Sequence, residues 1–328
     1  MWIAIGVIGL TITASIIYLA CLDGNFVVKR SRDIDAPIDT VFAVITDFKS
    51  WPYWSPWLMH EPGADIFYSD NYQAEGGYYE WSGKVVGVGK MSHISFTPDT
   101  RINQQIDFIK PFKSTNQVNW YLENLPSGTK VSWAMIGKMP FLFRFMTKNM
   151  EPMIGRDYEL GLALLSGYLN DLSGHPKISF HGNDTLEGFS YWGIGLNGNL
   201  RQLETSRKSS IDSLEAAANG LSGLPLTFHH KLDAAQVEYQ VEFALPVATS
   251  TPQSSYSLRK FDGGRYFKMT LRGSYEFLPL SWYALQSHCR MHKIKLDPNR
   301  ASLEIYRTDP AQVEYSNDIT TDLYIAIK

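Results

Sequence analysis

Cysteine is nearly absent from this chain: Cys21 and Cys289 are its only two, in 328 residues. They build no disulfide framework and neither sits in a CxxC pair, so cysteine usage leaves the redox compartment undecided. No HExxH, P-loop or GxSxG segment occurs, which removes local support for zinc peptidase, NTPase and serine hydrolase chemistry. Gly193 to Gly198 is glycine-rich but lacks the strand–helix context of a dinucleotide loop. No His, Asp and Cys cluster points to a metal, and no cofactor is implied. His60 and His93 are isolated and read as structural or exposed, while neighbours His229 and His230 would point to opposite faces of a strand. Charge of one sign is also missing. A formal net charge of −3 gives no electrostatic case for nucleic acid.

Apolar surface is plentiful, with 44% hydrophobic and 13% aromatic residues, and the length suits two ordinary domains. Trp2 to Ala20 contains no charged residue. At about 1.5 Å per residue such a helix nearly crosses a hydrocarbon core of roughly 30 Å, so it is expected to be a single-pass membrane anchor. A cleaved signal is the rival reading, without the basic n-region that one requires. Leu19-Ala20-Cys21 hints at a lipoprotein site, against which Tyr18 stands. Lys29, Arg30 and Arg32 favour a cytoplasmic body, whereas an uncleaved signal-anchor would export it, so the side of the membrane stays open.

Beyond the anchor, Phe26 to Asp33 reads as a strand and Ala36-Pro37 as a helix start, with Pro37 at the first helical position. Three tryptophans follow within seven residues: Trp51, Trp54 and Trp57. Val118, Trp120 and Leu122, then Val131, Trp133 and Met135, alternate with neighbours of the other face, between breaks at Gly76-Gly77, Pro98-Asp99 and Pro126-Ser127-Gly128. That period predicts an antiparallel sheet. From Phe141 to Leu172 the apolar steps become three and four, through Met146, Met150, Ile154, Tyr158, Leu162, Leu165 and Leu169, which predicts one long helix. Pro152 marks either a kink or its true start. Ser173-Gly174-His175-Pro176 breaks it.

A second domain is expected beyond, with a strand near Phe189 to Leu196 and a helix from Gln202 to Ala218. In a following strand Val237, Tyr239, Val241 and Phe243 face inward, and Gln236, Glu238, Gln240 and Glu242 outward. Residues 246 to 258 read as a surface loop.

The Ile34–Trp57 stretch, the alternating strands and the Met150–Leu162 helix resemble the SRPBCC superfamily of START, Bet v 1-like and polyketide cyclase-like proteins, over roughly residues 26 to 173. The resemblance implies a helix-grip fold with an apolar, lipid-type pocket. Trp81, Trp120 and Trp133 would face that pocket, with Trp51, Trp54 and Trp57 as its rim or a structural plug.

Gly263-Gly264-Arg265-Tyr266, Arg272-Gly273-Ser274-Tyr275, Leu278, Trp282, Leu303-Glu304-Ile305-Tyr306, Asp309-Pro310 and Thr320 to Ile327 are similar to GyrI-like effector-binding domains, over roughly 185 to 328. That likeness implies an aromatic pocket around Glu304 that pairs with cationic ligands or, in some members, assists hydrolysis. Tyr191, Trp192, Tyr239, Tyr266, Tyr275 and Trp282 are candidate walls, of which Tyr239, Trp282 and Tyr306 are carried forward as lining residues. Glu304 and Tyr306, two apart in a strand, share a face. No helix-turn-helix precedes this domain, so transcription-factor function and nucleic acid are not expected.

The expected class is therefore α+β, with an anchor over 1–22, a helix-grip domain over 23–174 and an effector-binding domain over 175–328. The expected function is a membrane-anchored bacterial small-molecule binder. One alternative is a hydrolase of reactive compounds, with Glu304 orienting water and Tyr306 as acid or hydrogen-bond donor. The other is a protein-interaction scaffold with collapsed pockets.

Overall fold

The computed structural model describes residues 2–111, 113–169, 176–220, 223–231, 238–248, 255–315 and 318–328, with the side chains of residues 2–9 and 11 excepted. Gln236, Val237, Leu172, Ser173 to His175 and the middle of the 246–258 loop lie outside the described residues. The α+β class holds: two antiparallel sheets, each with helices, occupy two compact units, Met1–Asp171 and Leu172–Lys328.

The first unit opens with helix α1, Trp2–Cys21; Leu19 O in its last turn and Leu22 O just beyond it accept from Arg144 Nη1. Among the described residues no helix is long and apolar enough to cross a membrane, so the expected span is not shown.

Strand β1, Asn25–Ile34, leads to helix α2, Ile38–Thr46. Pro37 is the N-cap with ψ 145°, not the first helical residue, because its extended ψ places the helix start at Ile38. Val41 and Ile45 turn inward. The single turn α3, Trp51–Trp54, sets Trp51 and Trp54 on one side, both 0% exposed. Their indole N–H groups donate to Ile45 O and Ser50 Oγ at 3.0 Å, which leaves the rings free to pack.

Strands β2 (Asp65–Tyr68), β3 (Tyr78–Ser82), β4 (Val88–Thr97), β5 (Arg101–Lys110), β6 (Ser114–Leu125) and β7 (Gly128–Lys138) form a meander, and β1 adds beside β7. The order is β1-β7-β6-β5-β4-β3-β2. The register pairs Trp120 with Trp133 across β6 and β7.

The long helix starts later than the periodicity predicts. Phe141–Met146 is a 3-10 turn, and α4 runs Thr147–Leu169. Pro152 sits inside α4, five residues past its start, so it does not mark the start of the helix. Buried Tyr158, Leu162 and Leu165 face the sheet, and Arg30 of β1 is tied to Glu151 and Glu159 of α4 at 2.7 Å each.

The second unit repeats a strand–helix–strand–strand module. The first copy is β9 (Phe189–Gly198), α5 (Leu200–Ala218), β10 (Leu226–Lys231) and β11 (Tyr239–Pro246). The second is β13 (Gly264–Arg272), α6 (Leu278–Met291), β14 (Ser302–Tyr306) and β15 (Thr320–Ala326). With β8 (Lys177–Leu186) and β12 (Arg259–Phe261) at the edges, the order is β12-β9-β11-β10-β14-β15-β13-β8. The second strands of the two copies, β10 and β14, therefore meet at the centre. Asn199 and Gln202 form a reciprocal capping box at the start of α5, at 3.0 and 2.9 Å.

Candidate functional site

The junction of β10 and β14 pairs Thr227 with Glu304, and the pleat puts His229 and Tyr306 on the same face. All four are nearly inaccessible to solvent. Leu303, on the opposite face, enters a core with Tyr191, Phe228, Tyr266 and Tyr324. The shared face expected for Glu304 and Tyr306 is therefore buried rather than open.

Glu304 Oε1 accepts from Trp282 Nε1 of α6 at 2.6 Å, and Oε2 accepts from Tyr306 Oη at 2.8 Å. His229 Nε2 stands 3.1 Å from Oε1 in an ion-pair contact, and its Nδ1 has no hydrogen-bond partner. Tyr306 Oη is fully used. It donates to Glu304, so Thr227 Oγ1 at 2.6 Å must donate to it, and Arg207 Nε of α5 donates from 3.1 Å. The Arg207 guanidinium lies 5.2 Å from the Tyr275 ring centre and 5.8 Å from that of Tyr306.

Burial by itself would raise the Glu304 pKa, but His229, Arg207 and the Trp282 N–H together hold it below the ordinary carboxylate range. Burial would lower that of Arg207, yet Tyr306 and Glu304 keep it above its usual value. The two groups thus face each other ionised. Burial, with Glu304 next to it, pushes Tyr306 well above an ordinary phenol, so it stays protonated.

Over this cluster a gap opens between α5 and α6, lined by Leu203, Arg207, His229, Tyr239, Trp282 and Glu304 among others. Its free volume is about 10 Å³, room for one water molecule. Of the expected lining residues, Glu304, Tyr239 and Trp282 meet at the gap, with Tyr306 directly behind Glu304. Tyr275 also lines it, whereas Tyr191 and Tyr266 belong to the core of the other sheet face and Trp192 packs with Leu214 and Leu245.

Arg207 and Thr227 escaped sequence reading, and His229 stood out only as a neighbour of His230 on the opposite strand face. One signal was present: Leu203, Arg207, Leu214 and Ala218 are the buried residues of α5, so Arg207 interrupts an apolar stripe.

Glu242, expected to point outward, is a correction. It is buried beneath Gly193, where a Cβ would collide with its carboxylate. It pairs with Arg259, accepts from Tyr191 Oη at 3.2 Å and lies 3.5 Å from His230 Nε2, beside a groove of about 300 Å³. The missing side chains of β9 make the room. Gly193, Gly195 and Gly198 keep the glycine spacing of a dinucleotide loop, but they lie within a strand rather than in a strand–helix turn.

His288 and His292 stand one turn apart at the end of α6, a pair the sequence reading passed over, with rings 4.0 Å apart. Among the described residues no group of three metal-ligating side chains exists.

In the first unit Trp120 and Trp133 stack at 4.3 Å, Tyr158 stacks on Trp133 at 4.0 Å, and Trp51 and Trp54 meet both indoles edge-on. Trp81 joins through Tyr79 at 5.6 Å. The expected lining residues Trp81, Trp120 and Trp133 thus belong to one aromatic core with the Trp51–Trp54 plug. His93 is structural: Nε2 donates to Thr46 O at 3.0 Å, and Nδ1 accepts from Gln104, which in turn accepts from Trp120 Nε1 at 2.9 Å.

Residues 25–169 match the family model described as polyketide cyclase / dehydrase and lipid transport, and form an SRPBCC-like domain. No curated protein matches the chain. Solved structures similar to it include protein MLL2253 from Mesorhizobium loti, at 16% identity over 45% of this chain and 99% of that one, TM-score 0.36. The EcmrR C-terminal domain is similar at 11% identity over 47% and 98%, TM-score 0.39. SAV2435 bound to tetraphenylphosphonium is similar at 15% over 46% and 94%, TM-score 0.36.

Proposed function

We propose that this chain binds an amphiphilic aromatic small molecule at the Glu304 gap of a GyrI-like second domain, and that residues 2–20 tether it to a membrane. The SRPBCC-like first domain would take an apolar compound, a lipid among the candidates. One observation carries the reading: a buried, ionised carboxylate sits at the floor of an aromatic gap, held by groups from α5, α6, β10 and β14. Buried ion pairs add little stability over apolar packing of the same volume, so a cluster of this kind at a cavity is better accounted for by ligand recognition.

Binding fits this geometry better than hydrolysis. A general base works best with a pKa near the working pH, whereas Glu304 is held low and its oxygens already accept from Trp282 and Tyr306. The tether is supported by the uncharged run from Trp2 to Ala20 and by Arg144, which closes the end of that helix.

Thermal-shift screening of the full chain in detergent, against neutral, anionic and cationic aromatic compounds, tests the binding. At a ligand concentration of about 100 Kd the expected stabilisation is roughly 2.7 kcal/mol, reduced in Glu304→Gln. No stabilisation by any class at saturating concentration would count decisively against the reading.

A further inference from the structure

Arg207 brings more hydrogen-bond donors to the Glu304 gap than the described residues accept from it. Among the described residues Arg207 makes one hydrogen bond, from Nε to Tyr306 Oη, which leaves Nη1 and Nη2 unpaired in a side chain that lines the gap. Arg207 is only 7% exposed. His229, 2% exposed, lines the same gap, with Nε2 3.1 Å from Glu304 Oε1 and Nδ1 without a hydrogen-bond partner. On the acceptor side Glu304 takes Trp282 on one oxygen and Tyr306 on the other, and Tyr306 Oη has neither a lone pair nor a proton left.

The chain also supplies its own organic cation. The Arg207 guanidinium occupies the place over Tyr275 and Tyr306, next to Glu304, that an external cation would need. A second cation entering this low-dielectric gap meets a like charge, which is unfavourable. A guanidinium N–H without a protein partner, in contrast, gains from a neutral acceptor brought to it inside the gap.

We infer that the Glu304 gap selects ligands with a neutral, acceptor-only head group, a carbonyl oxygen seated on Arg207, and excludes organic cations. This rests on the proposed ligand site and names the chemistry that site takes. The aromatic body would lie against Tyr239, Tyr275 and Trp282, with entry by widening of the gap between α5 and α6. The selectivity is opposite to the cation pairing that the GyrI-like resemblance implies for Glu304, and Arg207 is the cause.

Three probes of one shape test it on the full chain in detergent: 2-acetylnaphthalene, 2-naphthoate and 2-naphthylmethylammonium, titrated by calorimetry. The ketone is expected to bind at least tenfold more tightly than the ammonium, and more tightly than the carboxylate, which meets ionised Glu304. Arg207→Met should remove that preference, and Arg207→Lys, which keeps the charge without the planar fork, should retain part of it. The wild-type ranking stands as a test even if a variant fails to fold. Ammonium binding equal to or tighter than the ketone, and lost in Glu304→Gln, overturns the inference and leaves the site intact. Binding of none of the three at millimolar concentration overturns both.

Discussion

Tyr306 Oη donates a 2.8 Å hydrogen bond to Glu304 Oε2, two residues away along the same strand and wholly inside the domain. The phenol joins elements distant in sequence, since it also receives Thr227 from β10 and Arg207 from α5.

Tyr306→Phe removes one oxygen and leaves three buried groups each short of a partner: Glu304 Oε2, Arg207 Nε and Thr227 Oγ1. The expected cost is about 2–3 kcal/mol in urea unfolding, more than for an isolated hydrogen bond. Combined with Arg207→Met, the loss should fall short of the sum of the two single losses by about 1 kcal/mol. Strict additivity would show that the two side chains act independently.

Protonation of His93 should set an acid limit for the first unit. Burial lowers its pKa from 6.5 to about 4, outweighing the Thr46 contact that would raise it. The folded state thus binds fewer protons than the unfolded one between those values. Its contribution is complete above pH 6.5 and is lost as pH falls toward 4, by about 3 kcal/mol in all. Tryptophan fluorescence from the Trp120–Trp133 stack can follow unfolding at each pH. In His93→Gln the slope between pH 6.5 and 4 should flatten, and an unchanged slope would assign it to other groups.

Gly161→Ala reverses an ordinary helix preference. Alanine is favoured over glycine inside a helix by about 1 kcal/mol. At this position of α4, however, a Cβ would meet Trp133 Cζ3 at 2.7 Å and Pro56 Cδ at 3.0 Å. Trp133 is held in the aromatic core and Pro56 is buried, so net destabilisation of about 1–2 kcal/mol is expected by thermal denaturation. A raised Tm would mean that α4 can withdraw from the sheet.

The extent of sequence legibility follows from contact range. Period-two alternation was enough to place Trp120 and Trp133 on strands, and Glu304 and Tyr306 on one face, because side-chain direction along a strand is a local property. Steps of three and four likewise placed most of α4. The same alternation put Glu242 in solvent. It lies inside because β9 offers glycines opposite it, and register across strands is not a local property.

The chain's composition and periodicities by themselves determined an α+β protein with a strand-rich first half, a long amphipathic helix and a carboxylate paired in facing with a tyrosine. Tertiary structure alone decided what surrounds that carboxylate. Arg207 lies 99 residues from Tyr306 in the chain, and Thr227 lies 79 away. Only the meeting of β10 with β14 beneath α5 and α6 brings a guanidinium, an indole and an imidazole to Glu304. The electrostatic character of the gap is therefore a property of packing.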